Sequence, residues 1–205
     1  MNLYEKLAQI KLIPVVVIND AANAVPLAQA LAAGGLNCAE ITLRTPQALD
    51  AIQAIHQAMP DMLLGAGTVL TTDQADQAID AGASFLVSPG LNPDVVKHAQ
   101  KRGIPMLPGA ITPTEVEAGL SLGLTHLKFF PAEAAGGVAM LKALAGPYGQ
   151  VKFMPTGGIS QKNLQEYLAL KNVFACGGSF MVTDQLIENG DFAQITALCK
   201  GALSC

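Results

Sequence analysis

Short apolar runs rich in β-branched residues alternate with alanine-rich segments along the chain. Side chains alternate between two faces in a strand but recur about every 3.6 residues in a helix, so the two patterns can be separated. The pattern predicts a short amphipathic helix at the start, with Leu3, Leu7 and Ile10 on one side. It then predicts eight strands, near 12–18, 38–43, 63–68, 85–89, 105–110, 126–131, 152–157 and 173–178.

The residues that follow several predicted strands are suited to begin helices. Thr45, Asn92 and Thr112 each precede a proline, which is typical of a capping residue before the first helical position. Glu115 can complete a capping box with Thr112. Eight successive strand–helix units predict an α/β fold, a (β/α)8 TIM barrel with a short N-terminal helix, in a single domain over 1–205. A doubly wound open sheet is the alternative, although no Gly-x-Gly-x-x-Gly motif follows the first strand.

Composition and charge limit the possible partners. The chain has 205 residues, is 51% hydrophobic and carries a net charge of −4. It contains no basic run, which argues against nucleic acid and anionic membrane surfaces as partners. No apolar stretch is long enough to cross a bilayer. The composition is that of a globular protein, and neither nucleic acid nor a membrane is expected as its partner.

The cysteines and the N-terminal segment indicate the compartment. The cysteines are scattered without a Cys-x-x-Cys pair, which predicts free thiols in a reducing compartment, with two disulfides as the alternative. The apolar run at 12–18 superficially suits a signal peptide, but Pro14 interrupts it and Glu5 precedes it. This run is better interpreted as the first strand, and we expect a cytoplasmic protein. The cysteines are Cys38, Cys176, Cys199 and Cys205.

The predicted sixth strand holds a lysine among apolar and aromatic residues. In an extended strand, Lys128 shares one face with His126 and Phe130. Burying an unpaired ammonium is costly, so such a lysine tends to lose its charge, and a neutral amine is a nucleophile. The alternative is a strand-end lysine that extends its amine to solvent. We expect His126 to be a core residue, one layer below Lys128.

The predicted second strand places a carboxylate and a guanidinium on one face. Glu40, Thr42 and Arg44 alternate with apolar residues and should point into the barrel. Burial of either charge is costly, so both need a reason to be there. Glu40 can act as a general acid–base and Arg44 can anchor a substrate carboxylate, with a structural ion pair across the barrel as the alternative. The positive charge of Arg44 would also favour the neutral amine of Lys128.

The ends of strands seven and eight are rich in glycine. Gly157 and Gly158 follow strand seven, and Gly177 and Gly178 precede Ser179 at the end of strand eight. Glycine lets backbone N–H groups approach an anion closely, and (β/α)8 barrels often bind phosphate at these two loops. A single pair would more often mark a turn, whereas two pairs at these positions predict a phosphate site.

Other strand ends give weaker indications. The third strand ends with small residues and Thr68, whose hydroxyl can face a ligand, although tight packing is an equal alternative. The fourth ends at Pro89 in a shaped turn, which can contribute backbone groups to a pocket. His56 and His98 fall on predicted helices, away from His126, so no cluster of metal ligands is expected.

These residues, in this order and spacing, resemble the bacterial class I aldolases that cleave 2-keto-3-deoxy-6-phosphogluconate (KDPG) and often 4-hydroxy-2-oxoglutarate (KHG). The resemblance covers essentially the whole chain. It implies a (β/α)8 barrel, a homotrimer, and chemistry that needs neither a metal nor a cofactor. It rests on the motifs Glu40-Ile-Thr-Leu-Arg44-Thr-Pro46, Gly65-Ala-Gly-Thr68, Val87-Ser-Pro89-Gly90, Lys128-Phe-Phe-Pro-Ala-Glu133, Pro155-Thr-Gly-Gly-Ile159 and Gly177-Gly-Ser179.

The resemblance also implies a role for each candidate residue. Lys128 would form a Schiff base, and Glu40 would shuttle protons, through a water, as KDPG is cleaved to pyruvate and glyceraldehyde 3-phosphate. The same site would cleave KHG to pyruvate and glyoxylate. The implied substrate-binding residues are Arg44 and Thr68 for the pyruvyl carboxylate, Pro89 and Phe130 for the pyruvyl moiety, Thr156 for the hydroxyls, and Gly157, Gly158 and Ser179 for the phosphate.

Several other functions stay open at this point. Aldol cleavage can act on the galactonate epimer, or can prefer the unphosphorylated KHG. A sugar-phosphate epimerase or isomerase on the same fold would form no imine. A non-catalytic sensor of phosphorylated metabolites would use the phosphate site without turnover. A sensor has no need of a buried lysine beside a carboxylate, which favours an enzyme.

Overall fold

The computed structural model describes residues 1–203 and contains all eight predicted strands. Each strand is shorter than predicted: β1 to β7 end before the loop residues that follow, whereas β8 ends as predicted but begins later. Cys38, Cys176 and Cys199 are buried free thiols, and Cys205 lies outside the described residues. The strands are β1 (Leu12–Val16), β2 (Cys38–Thr42), β3 (Leu63–Gly67), β4 (Phe85–Val87), β5 (Met106–Leu107), β6 (His126–Phe129), β7 (Lys152–Pro155) and β8 (Cys176–Gly178).

Helices precede β1 and follow every strand. A short 3-10 helix over Ala21–Asn23 leads into the second helix. The α-helices are α1 (Leu3–Ile10), α2 (Ala24–Ala33), α3 (Ala48–Ala58), α4 (Thr72–Asp80), α5 (Pro93–Lys101), α6 (Pro113–Ser121), α7 (Gly137–Ala145), α8 (Leu164–Leu168), α9 (Asp184–Glu188) and α10 (Phe192–Leu203).

Two of the three predicted caps begin helices as expected. Thr112 and Glu115 form the capping box at the start of α6, and Asn92 caps α5. Each cap gives a partner to a backbone N–H group that has none inside the helix. The prediction for Thr45 is wrong, because its hydroxyl donates to the carbonyl of Ile18 and α3 begins further along the chain.

All strand pairs are parallel. Six strands form one sheet in the order β5-β4-β3-β2-β1-β8, and β6 and β7 form a second sheet of two strands. Isolated bridges connect Gly109 with Lys128 and Thr156 with Gly177. The six strands follow the chain order with β8 beside β1, which contradicts the doubly wound alternative, in which the order reverses at a switch point. The fold is therefore α/β with a curled parallel sheet.

A small group of buried side chains packs on one face of the strands and includes Met154 from the two-stranded sheet. Its members alternate along the strands with those of the main core, so they point to the opposite face. Phe85 is fully buried here, and Gly65 leaves space for its ring, because a Cβ at 65 would overlap it. Leu7 packs into the same group, so α1 covers this end of the sheet. The group comprises Leu7, Ile13, Cys38, Phe85, Val87, Leu107, Met154 and Ala175.

His126 lies at the end of the sheet that α1 covers. Its ring stacks on Tyr4 with the centroids 4.0 Å apart, and Phe174 packs edge-on against it at 5.1 Å. His126 is half-buried, so the expectation of a core residue holds only in part. Burial, and then the positive charge of Lys152, lower the pKa of His126 below its ordinary value.

The free energy of unfolding is expected to fall as the pH drops below about 6.5, where an unfolded histidine takes up a proton. Folded His126 resists protonation because its pKa is lowered, so protons favour the unfolded chain. His126→Phe keeps a ring against Tyr4 but cannot be protonated. Urea unfolding at about pH 8 and about pH 5.5 should show a smaller loss in the variant than in the unmodified protein. An equal loss in both would contradict this role of His126.

Candidate active site

Lys128 and Glu40 form a buried ion pair between β6 and β2. The Lys128 Nζ donates a hydrogen bond to Glu40 Oε1 at 3.1 Å. Lys128 is 3% exposed and Glu40 is 0% exposed, so the alternative of an amine extended to solvent is wrong. The strand alone suggested an unpaired ammonium, but the lysine is paired with Glu40. The carboxylate offsets part of the cost of burying the amine. Proton transfer from Nζ to Glu40 would leave the net charge unchanged and yield a neutral amine beside a carboxylic acid.

The Glu40 carboxylate has one oxygen without a hydrogen-bond donor among the described residues. Glu40 Oε2 is buried and accepts no hydrogen bond from residues 1–203, the described part of the chain. Gly67 leaves space for the carboxylate, because a Cβ at 67 would lie 2.8 Å from the Glu40 Cγ. A buried acceptor without a donor is unfavourable, so a hydroxyl group or a water would bind well at this oxygen.

A cavity of about 530 Å³ opens at the carboxyl ends of the strands. The Lys128 Nζ lies 5.2 Å from the centroid of the Phe130 ring, and this ring lines the cavity. The volume suits a small organic ligand. The predicted residues that line it are Arg44, Phe130, Thr156, Gly157, Gly158 and Ser179. The other lining residues are Val15, Val17, Ile159, Gly177, Gly178, Val182, Thr183, Asp184 and Gln185.

Thr68 connects the ends of β2 and β3 beside this cavity. Its backbone has a φ of 59°, a left-handed conformation that is unfavourable for a β-branched residue. The Arg44 Nε donates to the Thr68 hydroxyl at 3.3 Å, as expected if the two residues act on one ligand group. Such strain is found most often at ligand sites, where the surrounding structure compensates for it.

Pro89 packs against the residues before β6 and is not among those that line the cavity. Its carbonyl packs against Gly109, where a Cβ would overlap it. Gly109 is in turn bridged to Lys128. The turn itself is held by the Ser88 hydroxyl, which donates to the Gly90 carbonyl at 2.7 Å. Pro89 can therefore affect the position of the lysine through Gly109.

The loop after β7 forms one wall of the cavity. Gly157 and Gly158 have φ values of 98° and 82°, which glycine adopts without the strain that a Cβ would cause. Thr156, just before them, is 5% exposed and faces Gly177, where a Cβ would lie 3.1 Å from its methyl carbon. Ser179 is exposed at the end of β8. These five residues bring the glycine-rich ends of β7 and β8 together at the cavity.

The charge of the cavity wall was not foreseen. Among residues 1–203, Arg44 is the only basic residue that lines the cavity and Asp184, in the first turn of α9, the only acidic one. Val15 and Val17 form an apolar part of the wall. Their spacing of two residues along the first apolar run could have predicted that they share one face. No pattern in the sequence marked Asp184 as a wall residue, because the short helix α9 that it begins was not among the predicted elements.

Metal ligands do not converge in the part of the chain that the structure describes. Within residues 1–203, no three His, Cys, Asp or Glu side chains are placed to hold a metal ion. His98 contacts Asp76 Oδ1 at 2.8 Å on the helical surface, and His56 is exposed. None of the described helices has the length and apolar character needed to span a bilayer.

A sequence model of the KDPG and KHG aldolase family matches residues 3–198, a range that contains every residue of this site. The chain belongs to this family. It is 53% identical to the 2-dehydro-3-deoxy-phosphogluconate aldolase of Treponema pallidum over 203 residues, which are 99% of this chain and 97% of that relative. It is 48% identical to the KHG/KDPG aldolase of Escherichia coli K12 over 191 residues, 93% of this chain and 90% of the relative.

The fold is also similar to solved structures of KDPG aldolases. One is the crystal structure of the enzyme from Legionella pneumophila, in which pyruvate was captured at low pH as a covalent carbinolamine intermediate. That chain is 45% identical, the match covers 98% of each chain, and the TM-score is 0.95. Family membership makes this protein an aldolase, and so a lyase.

Proposed function

We propose that this aldolase cleaves KDPG to pyruvate and glyceraldehyde 3-phosphate through a Schiff base on Lys128, without a metal or a cofactor. The observation that carries the proposal is the buried pair of Lys128 and Glu40 beside a cavity of about 530 Å³. Imine chemistry needs a nucleophilic amine, an adjoining acid–base and room for the keto acid, and an amine and a carboxylate paired beside a cavity support a proposal of this kind. The names of the relatives support the same reaction.

Imine formation begins with the proton shared by the buried pair. Transfer of this proton to Glu40 leaves the Lys128 amine free to attack the C2 carbonyl carbon of the substrate. A proton then passes from the attacking nitrogen to the carbonyl oxygen, with Glu40 as the relay, and gives the hydroxyl of a neutral carbinolamine. Glu40, as the acid, then protonates this hydroxyl, and water leaves as the nitrogen lone pair forms the C=N bond. The product is a protonated imine, which can accept electrons.

Cleavage of the carbon–carbon bond uses Glu40 as a base. It removes the proton of the C4 hydroxyl, directly or through a water, and the electrons of the C3–C4 bond move into the imine. Glyceraldehyde 3-phosphate leaves and an enamine remains on Lys128. Proton return from Glu40 to C3 regenerates the imine, and addition of water releases pyruvate and restores the amine. The unpaired Glu40 Oε2 is suited to hold the reacting hydroxyl or water.

The remaining residues are proposed to bind the two ends of the substrate. Arg44 and Thr68 would hold the pyruvyl carboxylate, since a guanidinium and a hydroxyl are joined there. Phe130 would pack on the pyruvyl moiety, Pro89 would act through Gly109, and Thr156 would contact the hydroxyls. The phosphate would be bound by Gly157, Gly158 and Ser179.

We also propose that all eight strands close into a complete (β/α)8 barrel within one domain. The bridges of Gly109 with Lys128 and of Thr156 with Gly177 lie between the two sheets and support closure. A homotrimer and a cytoplasmic location are proposed from the family resemblance alone. Analytical ultracentrifugation of the purified protein tests the trimer, since a monomer or a dimer would contradict it.

Release of pyruvate from KDPG tests the proposed function directly. Coupling the reaction to lactate dehydrogenase should give continuous NADH oxidation, unchanged by EDTA. Loss of activity in EDTA that added metal restores would contradict the metal-independent mechanism. The values of kcat/KM on KDPG, its galactonate epimer and KHG rank the three substrates, and we expect KDPG to have the highest. No turnover together with binding of KDPG would favour the sensor.

Asp184→Asn is expected to lower the KM for KDPG by about two- to fivefold at low ionic strength, because a carboxylate on the cavity wall repels the phosphate. The KM for unphosphorylated KHG should stay unchanged. Asp73→Asn is the control, since Asp73 also lies in the first turn of a helix, α4, and does not line the cavity. An equal change for both substrates would show that Asp184 does not act through the phosphate.

A further inference from the structure

A hydrogen-bonded pair lies behind the glycine loop of the cavity. Tyr167 on α8 is completely buried, and its hydroxyl donates to Glu133 Oε1 in the loop between β6 and α7. Burial, and then the Glu133 carboxylate, raise the pKa of Tyr167, so that it remains a donor. Neither residue lines the cavity, and the proposed reaction uses neither.

Two glycines leave space for this pair. A Cβ at Gly158 would lie 2.8 Å from the Glu133 Cβ, so the glutamate side chain packs directly on the back of the loop that lines the cavity. A Cβ at Gly137 would lie 3.0 Å from the Tyr167 hydroxyl and 3.2 Å from Glu133 Oε1. Both glycines have positive φ, 82° at Gly158 and 54° at Gly137. The backbone is thus shaped around the pair on both sides.

Backbone hydrogen bonds join the same two loops. The N–H of Ala132 donates to the carbonyl of Thr156 at 2.8 Å, and the N–H of Glu133 donates to the carbonyl of Gly157 at 3.1 Å. The first loop follows the strand that carries Lys128, and the second is the proposed phosphate loop. The side-chain pair therefore supports a connection between the two ends of the substrate site.

We propose that Glu133 and Tyr167 are positioning residues that set the separation between Lys128 and the loop of Gly157 and Gly158. This inference rests on the proposed function. A substrate bound covalently at one end and through a phosphate at the other must match this separation, and a small displacement is costly. A ligand that lacks the phosphate uses only the lysine end. The pair thus acts on selectivity for phosphorylated keto acids, by holding the phosphate loop at the required distance.

Tyr167→Phe removes only the hydroxyl and tests the proposal. We expect the KM for KDPG to rise roughly tenfold, because the phosphate loop loses its support while the reacting groups stay in place. The rate at which borohydride traps pyruvate on Lys128 should change less than about twofold. Glu133→Gln, which keeps the shape of the side chain, should change KM in the same direction by a smaller factor. Tyr148→Phe is the matched control, since Tyr148 donates to Glu117 at 2.9 Å away from the cavity.

Comparison of the change in KM for KDPG with the change in the rate of pyruvate trapping decides between a positioning role and a structural one. If KDPG cleavage and pyruvate trapping fall together, in step with the melting temperature, the proposal is overturned. An unchanged KM for KDPG in Tyr167→Phe also overturns it. Should this variant not fold, Glu133→Gln decides by the same comparison. Failure of the proposed function is separate, because the unmodified protein would then neither cleave KDPG nor trap pyruvate.

Discussion

Lys128→Met is expected to lower kcat/KM for KDPG by at least about 10⁴-fold, because methionine fills similar space but cannot form an imine. The variant leaves the Glu40 carboxyl group buried without its partner. This group can remain neutral by keeping its proton, so the fold should persist with reduced stability. The measurement is pyruvate release from KDPG, with circular dichroism to show that the variant is folded.

Lys152→Met is the matched control for this substitution. Lys152 lies on the neighbouring strand β7 and donates to the Lys171 carbonyl at 2.8 Å, outside the cavity. Its replacement should leave kcat/KM within about twofold of the unmodified value, as is usual for residues without contact to the substrate. Lys128→Met that keeps more than about a tenth of the activity would contradict imine catalysis at this residue.

Glu40→Gln is expected to lower kcat about 10²- to 10⁴-fold, because glutamine has nearly the same shape but cannot carry the proton between steps. The change separates proton transfer from covalent binding. Pyruvate should still form an adduct on Lys128, only more slowly, since the amine is retained. Single-turnover mixing of KDPG with excess enzyme measures the slowed step.

Glu117→Gln is the corresponding control for the carboxylate. Glu117 accepts a hydrogen bond from Tyr148 on the helical surface, so its charge has no contact with the cavity. We expect kcat to be unaffected. An unchanged kcat in Glu40→Gln would mean that another group moves the protons.

The strands and the central pair could be predicted because both depend on local pattern. Alternation along β2 and β6 identified Glu40 and Lys128 as polar residues on an inward face, where burial demands a reason. The family resemblance placed the two residues at one site, but their direct hydrogen bond was not predicted, because they are far apart in the chain and on strands that are not neighbours in a sheet.

The loop features were less predictable because they depend on tertiary packing. The left-handed backbone of Thr68 contradicts the preference of a β-branched residue, so no propensity marks it. Thr45 precedes a proline, as a helix cap often does, but its hydroxyl donates a hydrogen bond to the Ile18 carbonyl instead. No sequence pattern distinguishes Tyr167 on its short helix, and only the structure shows its hydrogen bond to Glu133. Such contacts join segments that have no common sequence pattern.

The central claim is that the Lys128 amine joins covalently to a keto acid. Incubation with pyruvate and borohydride, followed by peptide mass spectrometry, tests it most directly. We predict a stable mass increase that corresponds to a reduced pyruvyl adduct, located on Lys128, in the unmodified protein and in Lys152→Met. Absence of the adduct, or an adduct on another lysine, would contradict the proposed mechanism.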